Sequence, residues 1–225
     1  MIPWEELDVA TVPGSSNRLR LMRRGDEYSI MLGTNELMNS RLSGSEETLA
    51  RLTCEPLRSR EAPRVLIGGL GMGFTLRAAL SCLNEDADVV IAEIVPEVVA
   101  WARGPLASVF QGCLDDRRVT VAVDDVGRVI RSQRLRWDAI LLDVDNGPDG
   151  ISREGNDALY SAAGLRSARD ALRPGGVLAV WSSAPSAPFT RRLEAGGFAV
   201  TETPARARPN GRGARHVIWT ATKGA

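Results

Sequence analysis

The 225-residue sequence holds a single histidine, His216, and three cysteines, and these scarcities remove several chemistries at once. Ser-His-Asp and Cys-His hydrolysis lack their parts, as do histidine-rich metal sites. Cys54, Cys82 and Cys113 are odd in number and never form C-x-x-C, so neither a disulfide framework nor a zinc site is indicated. They read as buried free thiols, and no metal is expected. Charge of one sign is also missing, with 28 Lys plus Arg balancing 28 Asp plus Glu. Bulk electrostatics therefore does not drive this chain onto nucleic acid or an anionic membrane. No apolar run approaches the ~18 residues that span a bilayer. Met1 to Ala10 carries acids where a signal peptide needs basic and then apolar residues, so the expectation is a cytoplasmic protein binding a small molecule. Internal repeats and low-complexity tracts are absent as well.

What is present from Arg64 onward is alternation. Short aliphatic runs at Arg64–Gly68, Asp88–Glu93, Arg118–Val123, Trp137–Asp143 and Gly176–Trp181 are separated by longer amphipathic stretches. The runs are continuously apolar, as strands buried on both faces are, and the gaps are long enough for crossover helices. The spacing predicts helices over Phe74–Leu83, Pro96–Arg103, Val126–Gln133, Asn156–Leu172 and Ala187–Ala195. Arg173-Pro-Gly-Gly176 reads as a sharp stop after the fourth. Gly197–Thr203 and His216–Thr222 read as a closing antiparallel hairpin, which brings the sheet to seven strands. The fold class is α/β, a doubly wound Rossmann-like sheet.

Upstream, Arg18–Met22 and Tyr28–Leu32 flank a Gly-Asp turn and predict a small β-hairpin. Ser43 and Glu46 stand at capping-box spacing, opening a helix through about Arg58. Residues 1–62 thus form a short hairpin-plus-helix extension or lid, and 63–225 the nucleoside-binding domain.

The strongest local signal is Gly68-Gly-Leu-Gly-Met-Gly73 between the first strand and its helix. A glycine-rich turn lets backbone approach a ligand and aims free amides at it. Glu93, 20 residues after Gly73 at the next strand tip, suits the two hydroxyls of a ribose. Asp124-Asp125 and Asp143 end the third and fourth runs, although either position also suits a helix cap. Together they map one crevice at the carboxyl edge of a sheet. A dinucleotide needs surface for a second nucleotide, whereas one crevice with an acid beyond the third strand suits one adenosine.

The segments Arg64–Arg77, Val89–Val99, Asp115–Asp125 and Trp137–Asp143 resemble the class I S-adenosylmethionine-dependent transferases, with their methyltransferase sheet. Leu76-Arg77 and Glu93-Ile-Val-Pro-Glu97, with the N-terminal hairpin and helix, resemble the spermidine synthase (polyamine aminopropyltransferase) family in particular. The resemblance implies a donor that is S-adenosylmethionine or its decarboxylated form, an aminopropyl transfer to a small amine, and a role in polyamine biosynthesis. It implies that Gly69, Gly71 and Gly73 face the aminopropyl end, Glu93 holds the ribose, Asp125 takes the adenine amino group, and Asp143 is the catalytic base. An amine attacking carbon beside a sulfonium must be unprotonated, and a carboxylate can orient it and take its proton. Members are commonly dimers, so a homodimer is implied, though nothing in the sequence marks an interface.

Departures fall on the acceptor half. Met72 stands where the family's glycine turn carries an Asp, and Asp143-Val-Asp-Asn-Gly-Pro148 moves the second acid to Asp145 or leaves Asn146 in its place. Asp145, Asn146, Glu46 and Tyr160 are the candidate acceptor-binding residues. Glu46 also suits a solvated helix-capping acid, and Tyr160 a packed aromatic. The altered acids put putrescine in doubt and leave methyl transfer to a small molecule or RNA as the rival, with a non-catalytic nucleoside-binding scaffold as a third reading. The basic run Pro204–His216 is the one local feature favouring RNA, and it reads better as a solvated turn.

Overall fold

The computed structural model describes residues 2–144, 147–148 and 158–224. Eleven strands are described, in two sheets. The larger has the order β10-β11-β9-β8-β5-β6-β7, formed by β5 (Arg64–Gly68), β6 (Asp88–Glu93), β7 (Val119–Val123), β8 (Trp137–Leu142), β9 (Leu172–Ser182), β10 (Phe198–Arg206) and β11 (Arg215–Lys223). The first five are parallel, and β11 runs antiparallel to both β9 and β10. This is the seven-stranded doubly wound sheet expected from the apolar runs.

Alternation along the strands divides the interior. Val65, Ile67, Ala139 and Leu141 enter one apolar cluster, while Leu66, Ile140 and Leu142 enter the other. Side chains of successive strand residues point to opposite faces, so a sheet covered on both sides needs apolar residues at every position. Helices α1 (Gly44–Cys54), α2 (Phe74–Cys82), α3 (Pro96–Arg103) and the short α4 (Ala107–Phe110) accompany the first cluster. Helices α5 (Val126–Arg131), α6 (Ala162–Ala171) and α7 (Ala187–Ala195) accompany the second. Cys54, Cys82 and Cys113 are free and buried, and Trp101, Trp137 and Trp219 are among the most deeply buried side chains.

The structure corrects several boundaries. The N-terminal hairpin is the middle of a four-stranded antiparallel sheet, β1 (Glu5–Thr11), β2 (Arg18–Arg24), β3 (Glu27–Leu32) and β4 (Asn35–Asn39). Leu21 and Ile30 of this sheet share the first apolar cluster with Val65 and Ile67, and Trp101 Nε1 donates to Asp8 Oδ2 at 2.7 Å, tying β1 to α3. The fourth helix ends at Ala171, and β9 begins at Leu172, so Arg173-Pro-Gly-Gly176 lies within the strand. It is a bulge: Trp137 pairs with Leu172 but Ala139 with Val177, and Gly175 takes the left-handed conformation the extra residues need. Asn156, where that helix was expected to start, lies outside the described residues, and the bulge is what carries the fifth run back past Gly176 to Leu172.

Candidate functional site

The strand order reverses at β5 and β8, and a crevice opens there at the carboxyl edge, where ligands of such sheets bind. It encloses about 880 Å3, mouth included, with Gly69, Gly71, Glu93, Asp124, Asp125 and Asp143 on its walls. Leu19, Ile30, Leu37 and Met38 of the N-terminal sheet supply its apolar roof. A second chamber of about 590 Å3 adjoins it, lined by Glu46, Met72, Gly73, Phe74 and Trp181. Leu37, Met38, Gly71 and Asp143 belong to both walls, so Asp143 stands at the junction.

The glycine turn is dictated by close approach. A Cβ on Gly69 would lie 2.3 Å from the Asp143 carbonyl oxygen, and φ there is +89°, so only glycine lets the tips of β5 and β8 meet. At Gly73 the space of a Cβ is filled by Phe110, 2.6 Å away. The turn's amides are spent differently from expectation. Gly69 N–H donates to Ala92 O, Gly73 N–H to Leu70 O, and Leu70 N–H to Glu93 Oε2 at 3.0 Å. At these positions the turn offers shape to a ligand while its donors hold the fold together.

Glu93 is 8% exposed, and its other oxygen accepts Val95 N–H at 2.8 Å, so the carboxylate fastens the glycine turn to the start of α3. Asp125 likewise does two things. Its Oδ1 caps α5 by accepting Arg128 N–H at 2.8 Å, and its side chain faces the crevice. The capping and ligand readings are therefore compatible at this position.

Asp143 is held by Thr75, whose Oγ1 donates to Oδ2 at 2.5 Å. Burial pushes its carboxyl up to about 6, against the Thr75 bond, which favours the charged form. Glu46 is not a solvated cap. Ser43 makes no side-chain cap bond to the helix and donates to Glu47 Oε1 instead, while Glu46 turns into the second chamber and accepts Ser45 Oγ at 2.6 Å. Burial, and next the Asp143 charge, push Glu46 up to about 7. Two carboxyls thus face one enclosed space, each with its value raised toward neutral pH, a strain that a cation placed between them would relieve.

Tyr160 sits elsewhere. It is 2% exposed, stands edge-on to Phe189 at 5.6 Å, and lines neither chamber; its place in the second core cluster behind β8 fixes this. Asp145 and Asn146 lie outside the described residues. Thr75, the roof residues Leu37 and Met38, and Trp181 were not singled out by the sequence. Gly33, which takes a left-handed conformation before β4, is the signal from which the strand carrying the roof residues could have been found. Among the described residues no group of three His, Cys, Asp or Glu is placed to hold a metal ion.

Residues 46–187 match the model of the spermine/spermidine synthase domain. Polyamine aminopropyltransferase 2 of Hyperthermus butylicus is 31% identical over 133 residues, which is 58% of this chain and 42% of that protein. Polyamine aminopropyltransferase 1 of Streptomyces coelicolor is 34% identical over 156 residues, 65% of this chain and 28% of that protein. The chain thus spans less than half the length of these relatives. Among solved structures, spermidine synthase from Thermotoga maritima superposes with a TM-score of 0.71 at 20% identity, covering 92% of this chain and 70% of that one. A spermidine synthase in complex with the transition-state analogue AdoDATO superposes at 0.69 and 19% identity, covering 92% and 69%. At such identities these two matches speak for the fold.

Proposed function

The chain belongs to the spermine/spermidine synthase family, and from that premise we infer that it transfers an aminopropyl group from decarboxylated S-adenosylmethionine to a small amine. The observation that carries the choice of donor is the lining of the two joined chambers. It includes Glu46, Glu93, Asp124, Asp125 and Asp143, and, among the described residues, no Lys, Arg or His. A carboxylated donor would bring its own anion against these acids with no guanidinium or ammonium to meet it, which is costly in an enclosed space. The decarboxylated donor carries a sulfonium and an ammonium alone, and both suit an acidic lining. Methyl transfer, which uses the carboxylated donor, is disfavoured on the same ground.

The division of labour follows from position. The adenosine lies in the larger crevice, with Glu93 on the ribose and Asp125 toward the adenine amino group. Its aminopropyl arm passes Gly71 and Asp143 into the second chamber, where Glu46 meets the ammonium and Gly73 forms part of the wall. Asp143, at the junction, accepts the proton of the incoming ammonium. The amine's lone pair then attacks the carbon beside the sulfonium, and the C–S pair departs to sulfur. Holding amine and carbon in line supplies much of the acceleration, since the leaving group arrives activated.

The test is product formation. Incubation with decarboxylated donor and a panel of small amines should release methylthioadenosine and add one aminopropyl mass to the acceptor. Asp143→Asn should abolish that turnover while nucleoside affinity changes little. Turnover unaltered in the variant would remove Asp143 from the reaction.

A further inference from the structure

Helix α1 begins against the C-terminal hairpin more closely than ordinary packing allows. Gly44 N–H donates to Ala207 O at 2.9 Å, and a Cβ on Gly44 would fall 2.5 Å from the Arg208 backbone. This seat brings Ser45, fully buried, onto the sole histidine of the chain, with His216 Nδ1 and Ser45 Oγ 2.8 Å apart. Ser45 in turn donates to Glu46 Oε2 at 2.6 Å. The imidazole packs edge-on to Trp181 at 4.7 Å, behind the wall of the second chamber. An unbroken hydrogen-bonded line therefore leads from a chamber carboxyl, through the hydroxyl of Ser45, to a partly exposed imidazole 171 residues beyond that serine in sequence.

We propose that Ser45 and His216 are positioning residues that act through Glu46 and carry the reaction proton out of the chamber. The proposal rests on the aminopropyl-transfer reading, which generates that proton. An acceptor arriving as an ammonium gives one proton to Asp143. Its freed lone pair forms the C–N bond, the C–S pair goes to sulfur, and the product leaves as a secondary ammonium. One proton per turnover thus remains on Asp143. It passes to Glu46 across the shared chamber; with Glu46 protonated the imidazole exchanges through solvent to its Nε2–H tautomer, which frees Nδ1, and Glu46 then donates to Ser45 Oγ as the Ser45 proton moves to Nδ1, the imidazolium releasing its Nε2 proton to solvent and returning to the Nδ1–H form. At rest the order is reversed: Ser45 spends its proton on the Glu46 carboxylate, so His216 must carry its own on Nδ1. Burial holds the imidazole below its usual value, which suits a carrier that must let go.

Because the protein has one histidine, nitrogen-15 NMR reads this line directly. The elements packed about His216 carry Glu46, Glu47 and Arg51 on α1, Arg173 on β9, Glu202 and Arg206 on β10, and Arg215 and Lys223 on β11 itself. The expected spectrum shows the Nδ1–H tautomer at alkaline pH and a change of tautomer as Glu46 takes its proton near pH 7. Glu46→Gln should abolish that change. In turnover, Ser45→Ala and His216→Gln should each lower kcat about 100-fold, the scale of a lost proton-transfer group, with donor affinity nearly unchanged, and imidazole should restore His216→Ala. Glutamine can keep the bond to Ser45 without shuttling a proton, so a loss there is not a packing defect. Parental kcat in His216→Gln, or a tautomer change that survives Glu46→Gln, overturns the relay. If the parent protein transfers no aminopropyl group, the functional reading fails, and the NMR change alone decides whether the line exists.

Discussion

Thr75 donates its hydroxyl proton to Asp143 Oδ2 at 2.5 Å, joining the helix after the glycine turn to the tip of the fourth parallel strand. The bond stabilises the carboxylate, the form that must be present if Asp143 is to take a proton. Thr75→Val keeps the shape and removes the donor. The Asp143 carboxyl should then rise further above about 6, and the acidic limb of the kcat/KM profile should move to higher pH. A shift of one unit, ~1.4 kcal/mol, should cut activity about twofold at pH 7 and nearly tenfold at pH 5, with full recovery in alkali. A limb that stays in place would show that Thr75 does not tune this carboxyl.

Glu46 and Asp143 together predict how cation binding depends on pH. Both carboxyls are raised, to about 7 and about 6. A bound sulfonium and ammonium favour the charged forms, so binding at pH 6.5 should expel protons, seen as a calorimetric heat that varies with buffer ionisation enthalpy. Donor affinity should climb through pH 6 to 7 and level off above. Proton uptake on binding would contradict the cation-receptor account.

The same raised values have a consequence for stability. A carboxyl whose folded value lies above its unfolded one holds its proton longer in the native state, so its contribution is full below the unfolded value of 4.5 for Glu46 and is lost as pH rises through about 7. Glu46→Gln removes that loss. Thermal melts should find the variant more stable than the parent at pH 8, with the difference shrinking toward pH 4. An equal difference at both ends of the range would place Glu46 in solvent.

How much of this was legible in the sequence follows from what sequence patterns encode. The parallel strands announced themselves because two-sided burial makes them continuously apolar, and Glu93 and Asp143 were found because they end those runs. β1 and β4 were missed: each is buried at one residue alone and otherwise exposed or half-buried, and β4 is five residues long, so neither forms an apolar run. Glu46 was half-read, since S-x-x-E spacing is the same whether the acid points back to the cap or inward. Its direction was settled by Gly44 docking on the hairpin, a contact more than 160 residues away along the chain. The link between Ser45 and His216 depends on that same long-range seat and leaves no local trace.

Asp138 shows the opposite case, an acid inside a strand that serves the fold. Fully buried at the start of β8, its Oδ2 accepts Arg64 N–H at 2.7 Å and Arg173 Nη1 at 2.9 Å, and Oδ1 meets Arg60 Nε at 2.9 Å. Asp138→Ala strips these partners of their buried acceptor and should cost about 3 kcal/mol in urea unfolding, the low end for a broken buried pair because both guanidinia reach solvent. Nucleoside affinity measured below the transition should persist, since the site lies at the other edge of the sheet. A loss of under ~0.5 kcal/mol, as for a surface pair, would show the cluster to be dispensable.

The central claim, an acidic pair of joined chambers built for a donor with no carboxylate, is tested most directly by calorimetric titration with S-adenosylmethionine, its decarboxylated form and methylthioadenosine. The account predicts that the decarboxylated donor binds at least tenfold tighter than the carboxylated one, a difference of ~1.4 kcal/mol, with methylthioadenosine retaining much of the affinity through Glu93 and Asp125. Clear preference for the carboxylated donor would contradict it, and silence with all three would remove the nucleoside site itself.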